Sequence, residues 1–127
     1  TRTRSAMTQC LIVEATPDDR QRLEDLLVPY GFAVAASETA KAALDQCRRW
    51  MPDVVLLPQS LKSMEVVAFL RLLRRQAGRR TPVVLLVGDT GDAHEIGRAI
   101  WAGASECLMK PFDADVLDLK LRQAGVV

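Results

Sequence analysis

The sequence predicts a small doubly wound α/β domain, and three observations carry that prediction. Short apolar runs without alternation, Cys10 to Val13, Val54 to Leu57 and Val83 to Val87, are too brief for helices and read as strands buried on both faces. After each run, apolar residues recur at helical spacing, so strands and helices alternate as they do around a parallel sheet with right-handed crossovers. One chain of 127 residues, 49% of them apolar, is long enough to bury a single sizeable core.

Taken in order, residues 1–7 have no apolar signal region and read as a loose leader or expression remnant, leaving 8–127 as the folded domain. The first strand, Cys10 to Val13, leads to a helix capped at Thr16, with Pro17 as its first residue and Asp18 and Asp19 in its first turn. Leu23, Leu26 and Leu27 mark its apolar stripe, and Tyr30-Gly31 closes it. Phe32 to Ala36 is a weak strand. Ser37 is expected to open the second helix, with Ala40, Ala43, Leu44 and Cys47 inward. The central strand runs to Pro58, which lacks an amide hydrogen for the ladder and favours a sharp exit. A third helix is expected from about Met64 to Gln76, with Val66, Phe69, Leu70 and Leu73 on one face. Val83 to Val87 is the fourth strand, Asp92 to Gly103 the fourth helix, Ser105 to Met109 the fifth strand, and Phe112 to Ala124 the last helix.

Composition narrows the function classes. A net charge of +1 gives no global field to recruit nucleic acid or an anionic membrane, and no stretch approaches the roughly 20 apolar residues of a membrane span. Cys10, Cys47 and Cys107 are odd in number and lack zinc spacing, so reduced thiols in a cytoplasmic protein are expected, with no metal or cofactor.

Ligands of doubly wound sheets gather at the carboxyl ends of the strands, which places any chemistry at Pro58 and beyond. There the stretch from Pro52 to Val66 resembles the phosphoacceptor segment of bacterial response regulator receiver domains: Pro-Asp, a short apolar strand, then Leu and Met at fixed offsets. A second stretch, Gly103 to Phe112, is similar to the fifth strand and the Lys-Pro-Phe corner of that family, where the Lys-Pro bond is characteristically cis. The resemblance covers nearly all of the chain from Thr8. It implies a flavodoxin-like receiver fold, (βα)5, with a parallel five-stranded sheet of order 2-1-3-4-5.

It also implies a phosphorylation site, and here this sequence departs from the pattern. Phosphoryl transfer to a side chain needs a nucleophilic carboxylate, a cation to offset charge and donors for the transferred oxygens. By position, the family's acidic pair becomes Glu14 and Ala15, and the phosphoacceptor aspartate becomes Pro58. The hydroxyl residue ending the fourth strand becomes Val87, followed by the small Gly88, and the aromatic switch position becomes Cys107. The Ser60 backbone carbonyl and Lys110, before Pro111, remain. One carboxylate and one carbonyl make a weak Mg²⁺ site.

The remaining polar groups offer little rescue. Asp53 lies at the opposite end of the sheet. Asp89 and Asp92 are loop acids, Asp92 well placed as a helix cap. Ser60 and Ser63 have no base, and His94 stands exposed on another helix. Lys110 is expected to pair with Glu14 across the strand ends rather than act catalytically.

Function then moves to the surface. In receivers the face of fourth helix, fifth strand and fifth helix is the usual docking or dimerisation surface. Here Ile96, Ile100, Cys107, Val116 and Leu119 would form an apolar patch on it, beside the core positions Ala99, Ala102, Leu117 and Leu121. The arginines Arg71, Arg74, Arg75, Arg79 and Arg80 are read as solvated charge at a helix end, with a phosphate or acidic-protein site as the sharper alternative. Trp50 and Trp101 are expected to be partly buried anchors. The sequence therefore reads as an aspartate-less, non-enzymatic receiver domain of a two-component-type signalling protein that works by protein contact, as homodimer or docking partner. A small-molecule sensor using the emptied pocket is the alternative, and a phosphoacceptor using another acid ranks last.

Overall fold

The computed structural model describes residues 7–89 and 92–127. The leader expected over residues 1–7 therefore lies, apart from Met7, outside the described residues. The elements follow in strict alternation: β1 (Gln9–Val13), α1 (Pro17–Leu27) with a 3₁₀ turn (Val28–Tyr30), β2 (Ala33–Ser37), α2 (Ala40–Arg49), β3 (Val54–Pro58), α3 (Val66–Ala77), β4 (Val83–Gly88), α4 (Ala93–Ala102), β5 (Glu106–Met109) and α5 (Ala114–Gln123). All strand pairings are parallel and the order is β2-β1-β3-β4-β5, as the resemblance implies.

Strand side chains alternate between the two faces of the sheet, and this divides the core in two. Leu11, Val13, Val55, Leu57, Val84 and Leu86 face one way, against Leu44 of α2, Phe69 and Leu73 of α3 and Ala99 and Ala102 of α4. Cys10, Ile12, Val54, Leu56, Leu85, Val87 and Leu108 face the other way, against Leu23 and Leu27 of α1 and Leu117 and Leu121 of α5. The central strands β3 and β4 are buried on both faces, which is why their sequences show no alternation. Removing a buried leucine from either layer, such as Leu57, costs about 2–5 kcal/mol.

Helix ends correct several sequence boundaries. Ser37 does not open α2; it is the buried last residue of β2, and Thr39 caps α2 by accepting the Ala42 N–H at 3.0 Å. Thr16 and Pro17 do start α1, but the Thr16 hydroxyl takes no cap hydrogen bond. Asp92 caps α4, accepting the N–H groups of His94 and Glu95 at 3.1 and 3.2 Å. Asp113 caps α5 by accepting the Val116 N–H at 3.0 Å, so Phe112 precedes the helix and is buried beside it. The third helix starts at Val66 rather than Met64. Trp50 is half-buried at the end of α2, whereas Trp101 is 87% exposed and anchors nothing.

Candidate functional site

The carboxyl edge of the sheet is built by the ends of β1, β3, β4 and β5, and the parallel register brings their residues level. Pro58 pairs with Val87, and Gly88 pairs with Met109. The chain leaves β3 with the Gln59 N–H donating to Val87 O at 2.8 Å, and enters the last corner with the Lys110 N–H donating to Gly88 O at 2.7 Å. The Lys110–Pro111 peptide is cis. A cleft of about 280 Å³ opens there, lined by Pro58, Gln59, Ser60, Val87, Gly88, Asp89, Glu95 and Lys110. Ser60, Asp89 and Lys110 are exposed around it, while Val87 is buried toward Phe112.

Several charged groups at this edge have partners, though not always the expected ones. Glu14 does not reach Lys110: its carboxylate accepts the Thr16 N–H at 3.1 Å. Lys110 instead lies 3.8 Å from Asp19 in the first turn of α1, a half-exposed pair that contributes little to stability. Arg20 closes the adjacent corner, donating to Glu14 O at 2.9 Å and approaching Glu38 at 3.7 Å. Asp53 sits at the opposite end of the sheet and accepts the Gln9 N–H at 2.8 Å, which makes it a strand-entry residue.

Sequence reasoning missed Gln59. Its side chain covers Gly88, and the position a Gly88 Cβ would occupy coincides with the Gln59 amide oxygen and lies within 2.9 Å of Gln59 Cβ. Gln59 Nε2 also reaches Glu95 of α4 at 3.4 Å, a long contact. A glycine at the end of one strand opposite a long polar residue just beyond the next was the available signal. A second hollow of about 460 Å³ was also missed, on the α1 side, lined by Asp19, Arg22, Leu23, Asp89, Lys110, Pro111 and Phe112. Arg22 donates to Phe112 O at 2.7 Å with its guanidinium over the Phe112 ring. Of the residues expected around the emptied pocket, Pro58, Val87 and Gly88 line the first cleft, and Ala15 lines neither.

On the α4–β5–α5 side, Ile100 (48% exposed), Val116 (38%) and Leu119 (52%) face solvent. Ile96 and Cys107 are half-buried, Cys107 against the α2–α4 core layer and 3.4 Å from Met109 sulfur. The expected patch therefore has three open members and two recessed ones. Lys120 of α5 and Glu106 of β5 pair at 3.3 Å next to it. Burial raises the Cys107 thiol pKa, with Lys120 opposing and Glu106 adding to the shift.

Comparison with known proteins gives a consistent family. The response regulator receiver domain model matches residues 10–122. The chain is similar to the transcriptional regulatory protein YxdJ of Bacillus subtilis, 28% identical over 91% of this chain and 49% of that protein. It is 32% identical to the KDP operon transcriptional regulatory protein KdpE of Escherichia coli, over 93% of this chain and 51% of that one. It thus spans about half the length of these relatives. Among solved structures, the chemotaxis protein CheY4 of Vibrio cholerae superposes with a TM-score of 0.85 at 22% identity, covering 94% of this chain and 99% of that one. The receiver domain of the Pseudomonas aeruginosa histidine kinase PA1611, solved with a magnesium ion in its active-site cleft, gives 0.80 at 21%, with 94% and 99% covered. These likenesses fix the fold, and the family model fixes the membership: the chain belongs to the response regulator receiver domains of two-component signalling.

Proposed function

We propose that this receiver domain signals by protein contact, without being phosphorylated at the sheet edge. The observation that carries the reading is Pro58 at the end of β3, level with Val87 in the register. At the place where the family puts its acceptor carboxylate stands a ring with no nucleophile, and beside it an apolar side chain with no hydroxyl. Loss of one group could be compensated by a neighbour; loss of both, together with Ala15 in the acidic pair, leaves no activated acceptor.

The donor set does not fit a divalent cation either. Mg²⁺ seeks near-octahedral oxygen ligation, with one or two carboxylates held in place. Ala15 and Pro58 bring no side-chain oxygen, and the Glu14 carboxylate is turned onto the Thr16 N–H. Among the described residues, no three His, Cys, Asp or Glu side chains converge as ligands.

What remains is surface. Ile100, Val116 and Leu119 lie open on the α4–β5–α5 side. Exposed aliphatic side chains on one side of a small domain suit a protein interface. The domain acts as a homodimer or docks on a protein partner through this face, in the cytoplasm and without catalytic turnover of its own. No described helix is long and apolar enough to cross a membrane. The test is exposure to beryllofluoride and Mg²⁺, which on this reading leaves the amide spectrum unchanged.

A second reading has one observation in its favour. The hollow beside Lys110 combines Leu23, Pro111 and Phe112 with two cations, Arg22 and Lys110, and two acids, Asp19 and Asp89. Such a mixture of apolar wall and convergent charge suits a small amphipathic ligand. A ligand titration that shifts the Phe112 and Leu23 resonances, and not those of α4, supports the sensor over the contact module.

A further inference from the structure

The flank of α4 facing α3 is chemically unlike the flank that carries Ile100. A groove of about 400 Å³ lies between the two helices, lined by Val67 and Arg71 of α3 and by Ala93, His94, Gly97, Arg98, Trp101 and Ala102 of α4. The space above Gly97 is open: a Cβ there would meet nothing within 4 Å. No acidic residue lines it. Arg74 adds a further cation, its stem packed against Gly103 so that Arg74 Cδ lies 3.1 Å from where a Cβ would be. Arg71, Arg74, Arg75 and Arg98 are all exposed, and among the described residues none of them is in an ion pair.

We infer that this groove docks an acidic, extended segment of a protein partner, with an apolar side chain of that segment packed on Trp101. Two features argue for it independently. Trp101, 87% exposed, contributes nothing to the core, and an exposed tryptophan sharing a groove with two arginines is the composition of an interface hot spot. Among the described residues the cations have no acidic partners, so carboxylates from outside complete them through bidentate hydrogen bonds. Nucleic acid is the weaker occupant. Single strands need successive aromatic platforms, and this groove has one; the chain as a whole, at +1, supplies no steering field. The groove is separate from the cleft at the sheet edge, since no residue lines both.

The test titrates the intact chain with a synthetic glutamate-rich peptide carrying one leucine, following the indole Nε1–H resonances of both tryptophans. The Trp101 signal should move saturably while that of Trp50 stays in place. Arg71→Gln with Arg98→Gln should weaken binding by about tenfold or more, both being surface substitutions. Added salt should weaken it too, as expected of exposed charges. The inference is overturned by a Trp101 signal that does not move at millimolar peptide. Equal binding of the glutamine counterpart also overturns it, as does tighter binding of an oligothymidylate than of the peptide.

Discussion

The Gln59 side chain lies across the backbone of Gly88, so the residue just past the end of β3 roofs the end of β4. The two are fixed by the Gln59 N–H bond to Val87 O at 2.8 Å, which leaves the side chain little choice of direction. A proline end to β3 and a glutamine over the neighbouring strand thus line the cleft in which an acceptor would react.

Gly88→Ala is therefore expected to destabilise the domain by about 1–3 kcal/mol, as overpacking does, because the atoms it meets include Gln59 Cβ and not only the amide tip. Gln59→Ala in the same chain removes the amide but keeps Cβ, and should restore part of that loss. A urea-denaturation double-mutant cycle measures the coupling. Simple additivity of the two changes would contradict the packing described.

The pH dependence of stability follows from Tyr30 and Cys10. Burial, with a 2.6 Å hydrogen bond to Asp118, raises Tyr30 from its ordinary 10.0 to about 12. Burial alone raises Cys10 from 9.0 to about 12. Both folded values exceed the unfolded ones, so their contribution is intact below about pH 9 and is lost as the pH rises toward 12. Asp118 has the opposite sign: the Tyr30 and Arg122 hydrogen bonds lower its pKa, and its contribution fades as the pH falls through the acid range. Tyr30→Phe should lower the urea midpoint at neutral pH and flatten the loss above pH 10; an unchanged alkaline limb would show that Tyr30 does not titrate as described.

Much of the fold was legible because buried strands and amphipathic helices leave different periods in the sequence. Val54 to Leu57 could only be a two-sided strand, and Asp92 could be read as a cap. What escaped depended on contacts distant in the chain. Lys110 pairs with Asp19, not Glu14, because the Glu14 carboxylate has a local amide two residues away and α1 carries Asp19 toward the corner. Trp101 was expected to be anchored, but Ala99 and Ala102 take the inward positions of α4 and leave it outside. Gln59 over Gly88 was visible only once the register of β3 and β4 was known.

The open aliphatic face predicts self-association or docking. Ile100→Asp and Leu119→Asp replace exposed side chains and should fold normally while shifting sedimentation from dimer to monomer, or abolishing partner binding. Sedimentation of the wild type and both variants as identical species, with unchanged partner binding, would count against this face.

Reinstating the missing groups tests the reading from the other side. Pro58→Asp alone should not confer phosphoryl-analogue binding, since Ala15 and Val87 still lack ligand and hydroxyl. Pro58→Asp with Ala15→Asp and Val87→Thr should confer at least weak, Mg²⁺-dependent binding, seen as new amide shifts near Lys110. Full response from the single change would mean that the neighbours were never the obstacle.

The most direct measurement is the amide spectrum of the unaltered chain with beryllofluoride and Mg²⁺. If the sheet edge has lost its acceptor chemistry, the resonances of Glu14, Gln59, Gly88 and Lys110 stay where they are at saturating reagent. Saturable, Mg²⁺-dependent shifts confined to those residues would contradict the account at its centre.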